Sequence, residues 1–139
     1  MTASGEDGIY VGGTSNRLIN NTLSEFSSYG IQLNSASQAT VTTNNITSST
    51  GSGIVIAASS NNNVSSNTIN VSDSSANALY LYDNSDTNVL QNNNITEAGG
   101  HAIKLEKGLS TYPENNNFTS NTFSNIGGKD LQIESAGIN

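Results

Sequence analysis

Apolar residues along this chain recur in two short patterns that alternate from one end to the other. The first is a small residue, an aliphatic, any residue and a second aliphatic. It reads Gly8-Ile9-Tyr10-Val11, Gly30-Ile31-Gln32-Leu33, Gly53-Ile54-Val55-Ile56, Ala78-Leu79-Tyr80-Leu81, Ala102-Ile103-Lys104-Leu105 and, with Asp130 at the small position, Asp130-Leu131-Gln132-Ile133. The second is apolar, two residues, Asn, one residue, apolar: Leu18, Asn21, Leu23; Val41, Asn44, Ile46; Val64, Asn67, Ile69; Leu90, Asn93, Ile95; and Phe118, Asn121, Phe123. Repeats start at residues 8, 30, 53, 78, 102 and 130, and 22 of the 30 Ile, Leu, Val and Phe residues fall in these columns. Residues two apart share one face of a strand, so each aliphatic pair predicts a short strand with one face inward and the residue between facing solvent.

A repeat of this length cannot bury its own apolar face and must stack on its neighbours. The expected architecture is therefore all-β: one domain over residues 1–139 in which successive turns of a parallel β-helix, about five to six of them, pair as parallel strands roughly 4.8 Å apart. The Asn of the second pattern falls between the second and third strands of each turn. Asn tolerates the left-handed backbone of a sharp corner, and its amide can bond the equivalent amide one turn away. That predicts a ladder of Asn21, Asn44, Asn67, Asn93 and Asn121.

Composition sharpens this reading. The chain holds 23 Asn, 22 Ser and 14 Thr in 139 residues, with 33% hydrophobic and 11% charged residues, a bias that would point to disorder if the apolar residues were scattered. A net charge of −7 with only four Lys and Arg argues against nucleic acid, which a binder must neutralise with many cations. No apolar run approaches the roughly 20 residues of a membrane span, and Met1–Gly8 has none that would serve as a signal peptide. With no Cys, disulfide and zinc-thiolate chemistry are excluded.

Asp7-Gly8-Ile9-Tyr10-Val11 followed by Asn20-Asn21-Thr22-Leu23, echoed in Asn67-Thr68-Ile69 and Asn121-Thr122-Phe123, resembles the right-handed parallel β-helix repeats of the pectate-lyase-like superfamily. The resemblance runs from about residue 7 to 134. That superfamily includes polysaccharide lyases, uronate C5-epimerases, phage tailspikes and many surface proteins, so the resemblance specifies the fold and leaves function to local departures from the repeat.

Two loops depart from it. Ten residues separate Ile69 from Leu79 where eight is usual, and thirteen separate Leu105 from Phe118 where seven to nine is usual. Both flank the first strands of the fourth and fifth turns, whose outward residues are Tyr80, Tyr82, Lys104 and Glu106, with Asp83, Lys107 and Tyr112 nearby and His101 just before. The equivalent positions elsewhere, Gln32, Asn34, Val55 and Ala57, are bland. The resemblance implies that a sugar chain would lie along this face. Proton abstraction beside a uronate carboxylate needs a base, an acid and a cation. Tyr82 or His101 would be base or acid and Lys104 or Lys107 the neutraliser, with Tyr80, Asp83, Glu106, Lys107 and Tyr112 binding substrate. The epimerase signature Tyr-Gly-Phe-Asp-Pro-His is absent, however, and Tyr82-Asp83-Asn84-Ser85-Asp86 departs from it. Asp83 and Asp86 offer oxygen ligands that suit calcium, without the Gly and distant Glu of a helix-loop-helix site; no cofactor is required. Outward third-strand residues, such as Thr22, Asn45, Thr68, Asn94 and Thr122, form the small hydroxyl-rich array that an ice-binding solenoid would also present.

Neither Met1–Asp7 nor Ser135–Asn139 has helical periodicity to cap the open strand edges. The expectation is an excerpt of a longer solenoid, or a unit that associates end to end or laterally with copies of itself. The leading function is a secreted or cell-surface module that contacts carbohydrate or serves as a structural or adhesive scaffold. A polysaccharide lyase or C5-epimerase is the alternative, and ice binding the second.

Overall fold

The structure, a computed structural model, describes residues 6–48, 50–109 and 111–134; the predicted end segments Met1–Gly5 and Ser135–Asn139 lie outside them. Among the described residues the chain forms strands and no helix. The first turn comprises β1 (Ile9–Thr14), β2 (Arg17–Ile19) and β3 (Thr22–Ser24), and the second β4 (Tyr29–Ser37), β5 (Thr40–Thr42) and β6 (Asn45–Ser48). The third holds β7 (Ser52–Ala57), β8 (Asn63–Ser65) and β9 (Thr68–Val71), and the fourth β10 (Leu79–Tyr82), β11 (Val89–Gln91) and β12 (Asn94–Ala98). β13 (Ile103–Glu106), β14 (Asn117–Thr119) and β15 (Thr122–Phe123) make the fifth, and β16 (Leu131–Glu134) begins a sixth. Strands stack as three parallel sheets: β1-β4-β7-β10-β13-β16, β2-β5-β8-β11-β14 and β3-β6-β9-β12-β15.

The predicted columns are the register of these sheets. Ile9 pairs with Ile31 and Val11 with Leu33, Leu79 lies between Ile54 and Ile103, and Leu18 pairs with Val41. Ile31, Leu33, Val41, Ile46, Ile54, Ile56, Val64, Ile69, Leu79, Leu81, Leu90 and Ile95 are all fully buried in one continuous core. The small residue that opens each first strand sits where neighbouring turns approach closely, and a Cβ on Gly53 would lie 2.5 Å from the Ala78 carbonyl oxygen. One inward column escapes the sequence pattern. Phe26 is wholly buried at the corner after β3, its carbonyl accepting the Ser48 hydroxyl at 2.8 Å, and Ser48, Val71, Ala98 and Ile126 pair in one line.

The Asn ladder forms as expected. In each rung the Oδ1 of one Asn accepts both the backbone N–H and the Nδ2–H of its counterpart in the preceding turn, at 2.9 to 3.0 Å, from Asn21 through Asn44, Asn67 and Asn93 to Asn121. The second Nδ2 hydrogen reaches back to a carbonyl: Leu18 for Asn44, Val41 for Asn67, Val64 for Asn93 and Leu90 for Asn121. The backbone half of the expectation needs correction. The residue with positive φ is the one before each ladder Asn, namely Asn20, Thr43, Ser66, Asn92 and Ser120, at φ of 54° to 59°. The ladder Asn is selected for its two-sided amide, and the corner strain falls on its neighbour.

A second ladder occupies the corner between the first and second sheets. Asn62 bonds Asn88 at 2.9 Å through both its N–H and its Nδ2, and the Asn88 N–H donates to Asn116 Oδ1. Ala39 takes the equivalent place one turn earlier, its N–H donating to Asn62 Oδ1 at 2.8 Å. Here too a positive-φ residue precedes each position: Gln38, Asn61, Thr87 and Asn115.

Candidate functional site

The outer face of the first sheet is built by strand register alone. Tyr10, Gln32, Val55, Tyr80, Lys104 and Gln132 stand in one cross-strand column. Asn34, Ala57, Tyr82, Glu106 and Glu134 stand in the next. Cross-strand neighbours on one face are close enough for aromatic and charged side chains to interact. Tyr80 and Tyr82 lie side by side with ring centroids 5.1 Å apart, tilted 31°. The Tyr80 hydroxyl donates to Glu106 Oε2 at 2.5 Å. Lys104 Nζ sits 2.9 Å from the same carboxylate and 3.2 Å from Glu134 Oε1, and 5.3 Å from the Tyr80 ring centroid.

These contacts set the protonation states. Burial first, then the hydrogen bond and negative charge of Glu106, hold the Tyr80 phenol far above its ordinary value, so its proton stays on. Burial likewise raises Tyr82, with Tyr29, Asp83, Tyr10 and Asp7 adding to it. Glu106 is held below the usual carboxylate range by the Tyr80 hydroxyl and then Lys104. For Lys104 burial pulls downward, but its bonds to Glu106 and Glu134 outweigh it and keep the ammonium above its ordinary value. The result is a closed network in which each charge has a partner.

Two of the outward positions are covered rather than solvent-facing. Val55 and Ala57 alternate outward, away from the central core, yet are 0% and 3% exposed. They form a small apolar floor beside Tyr80 and Tyr82. Tyr10 and Tyr29 complete the aromatic surroundings through their influence on Tyr82.

Other predicted site residues are distributed elsewhere. His101 precedes β13, and its Nδ1 accepts the Lys129 backbone N–H at 3.0 Å while its own N–H donates to Asn77 Oδ1. It is thereby engaged with the next turn, five residues along the chain from Glu106. Lys107 lies 6.0 Å from the Tyr112 ring centroid. Both belong to the long loop after β13, which folds back on the corner after β10: a Cβ on Gly108 would lie 2.5 Å from that of Asp83, the Thr111 hydroxyl donates to Asn84, and the Glu114 N–H donates to Asp86 Oδ1 at 2.7 Å. Ser85 is fully buried at that corner, its hydroxyl bonded to the carbonyl oxygens of Ile56 and Tyr82. Asp83 and Asp86 therefore flank an inward-turned Ser. Among the described residues no group of three or more His, Cys, Asp or Glu is placed to hold a metal ion.

A family model described as the right handed beta helix region matches residues 2–139. The chain belongs to the right-handed β-helix family. No curated protein and no solved structure matches it. Within this right-handed β-helix, the third sheet presents the expected outer column of Thr22, Asn45, Thr68, Asn94 and Thr122 in register, with the Thr122 hydroxyl donating to Asn94 Oδ1 at 2.9 Å. A bulge sets Glu97, in place of Thr96, opposite Asn70 and breaks the neighbouring column. No helix of the described residues is long and apolar enough to cross a membrane. Glu134 and Tyr29 are the site residues that the sequence reading missed. Glu134 was recoverable as the residue two places beyond Gln132 in the same outward series, whereas Tyr29 lies outside both repeat patterns and carried no signal.

Proposed function

We propose that this β-helix is a surface or extracellular module that holds carbohydrate on the outer face of its first sheet without transforming it. The observation that carries this reading is the Tyr80–Tyr82 pair, fixed on a rigid strand and braced by Glu106 and Lys104. Aromatic rings give a large amphipathic surface at low entropic cost, with a polar tip for hydrogen bonding. The apolar C–H face of a pyranose packs on such rings while its hydroxyls bond the carboxylates alongside.

Lyase or epimerase chemistry finds less support. A base must be deprotonated near neutrality, and burial drives Tyr82, a candidate base, the opposite way. Lys104 is held between two carboxylates, and His101 is engaged with Lys129. The test is retention on immobilised polysaccharides together with a turnover screen on alginate and pectate, with and without calcium. Retention without unsaturated products or a changed epimer ratio is the expected result, with retention lost in Tyr82→Ala and the β spectrum kept. Turnover abolished by Tyr82→Phe or His101→Ala would replace this reading with the enzymatic one.

A further inference from the structure

The carbohydrate reading leaves the class of sugar open, and the charge arrangement on the face narrows it. We infer that the outer face of the first sheet selects neutral glycans over uronic-acid or sulfated ones, an inference that rests on the carbohydrate reading of the same face.

An acidic sugar needs a cation with unspent hydrogen-bonding capacity, or N–H groups aimed at it. Lys104 is the cation that the two outward columns supply; two of its three N–H donors face Glu106 at 2.9 Å and Glu134 at 3.2 Å, and these two carboxylates more than offset its charge. The three groups together carry one positive and two negative charges. Asp83 follows Tyr82 at the adjoining corner and adds to the negative potential that Tyr82 experiences, as does Asp7. Lys107 lies in the loop against Tyr112. The chain as a whole carries −7, so an approaching polyanion meets repulsion both locally and at long range.

A neutral sugar meets the opposite situation. Ionised carboxylates only accept hydrogen bonds, and Glu106 keeps its charge because Tyr80 and Lys104 stabilise it. Sugar hydroxyls are donors that match such acceptors, and Glu134 is partly open to solvent. The Tyr80 hydroxyl spends its hydrogen on Glu106 and can only accept. The face therefore offers aromatic area and acceptors, the requirements of a neutral pyranose with several free hydroxyls.

The test uses matched β-1,4-linked oligosaccharides that differ only in oxidation at C6, mannan against mannuronan and glucan against glucuronan fragments, titrated into the whole chain by calorimetry or by NMR shift. At least one neutral member is expected to bind on the order of tenfold or more tighter than its acidic counterpart, with little change on adding salt. Tyr82→Ala should abolish that binding and Tyr82→Phe retain it. The double variant Glu106→Gln, Glu134→Gln, which frees Lys104, should narrow or reverse the preference; Glu97→Gln, on the third sheet and away from this face, controls for net charge and should leave the preference unchanged. Equal or tighter binding of the acidic member overturns the selectivity inference while leaving carbohydrate contact standing. Binding of neither class across a panel of neutral and acidic glycans overturns both, and circular dichroism of each variant separates lost binding from lost folding.

Discussion

Thr43 and Thr87 hold φ values of 54° and 56°, a region that β-branched residues strongly avoid. Each hydroxyl bonds the carbonyl of the preceding residue, Thr42 at 2.7 Å and Asp86 at 2.6 Å, which offsets part of the strain. Asn already occupies the equivalent corner position at Asn20 and Asn92. Thr43→Asn is therefore expected to stabilise the fold by about 1 kcal/mol, read as a raised thermal midpoint; an unchanged or lowered midpoint would show that the hydroxyl bond outweighs the backbone relief. The ladder residue itself behaves differently. Asn67 is fully buried and bonds Asn44, Asn93 and the Val41 carbonyl, so Asn67→Ala strands several buried polar groups and should cost about 2 to 4 kcal/mol. The broken first-corner ladder suggests the reverse experiment. Ala39→Asn would extend the Asn62–Asn88–Asn116 series by one rung, and denaturant unfolding should register about 1 kcal/mol of added stability. Asn44 and its equivalents were legible because they keep a fixed offset from apolar neighbours on both sides. The second ladder was not, because Ala39 interrupts it and Asn is so common in this chain that a residue two places before an apolar position carries little signal.

Strand alternation made the inward face of every turn legible, since a one-residue slip would turn each aliphatic pair outward. Leu81→Asp should accordingly abolish soluble folding, because a charge would enter the fully buried core. Gln32→Glu on the outward face should leave the β spectrum and midpoint nearly unchanged, and equal damage from both would reject the register. Corners were harder to foresee: Phe26 is buried beyond the end of β3, and Val71 and Ala98 pair inward past a bulge, where period-two reasoning fails. On the outer face the same alternation brought Tyr80, Tyr82, Lys104 and Glu106 together. It could not reveal that Val55 and Ala57 are covered, since covering depends on the size and tilt of neighbouring rings. The first sheet also predicts a pH response. Tyr80, Tyr82 and Lys104 all bind their protons more tightly folded than unfolded. Their contribution is complete below the unfolded values, 10.0 for the phenols and 10.5 for the amine, and is lost as pH rises beyond them. Glu106 has the opposite sign: its depressed value contributes stability above 4.5, lost as pH falls through the folded value. Thermal midpoints should therefore fall above pH 10, and Tyr80 should ionise only as the β spectrum collapses; ionisation of Tyr80 in the folded state would contradict the network.

At the scale of the molecule a solenoid distributes stability turn by turn, each contacting only its neighbours. The core thins toward the last described turn. Leu131 and Ile133 are 47% and 61% exposed, and Phe118 and Phe123 are half-buried around an open cavity of about 190 Å³ that Ile103, Ser120, Asn121 and Leu131 also line. Among the described residues β14, β15 and β16 each pair on one side, and an apolar surface framed by such strand edges is a template for further pairing. A second copy of the chain is the partner that sedimentation tests. Opposing this is the net charge of −7, a repulsion that extends about a Debye length, roughly 8 Å at physiological salt. The two effects differ in their response to salt, which makes them separable. Sedimentation at rising protein concentration should show the chain shifting from monomer toward dimers and longer species, more readily as salt is added and the repulsion is screened. Ile133→Asp places a charge in the exposed apolar patch without disturbing the central core, and should suppress the larger species while leaving the β spectrum intact. A chain that stays monomeric at high concentration and high salt, with Ile133→Asp indistinguishable from the parent, would mean that this apolar turn is covered within the chain and that the molecule does not grow by stacking.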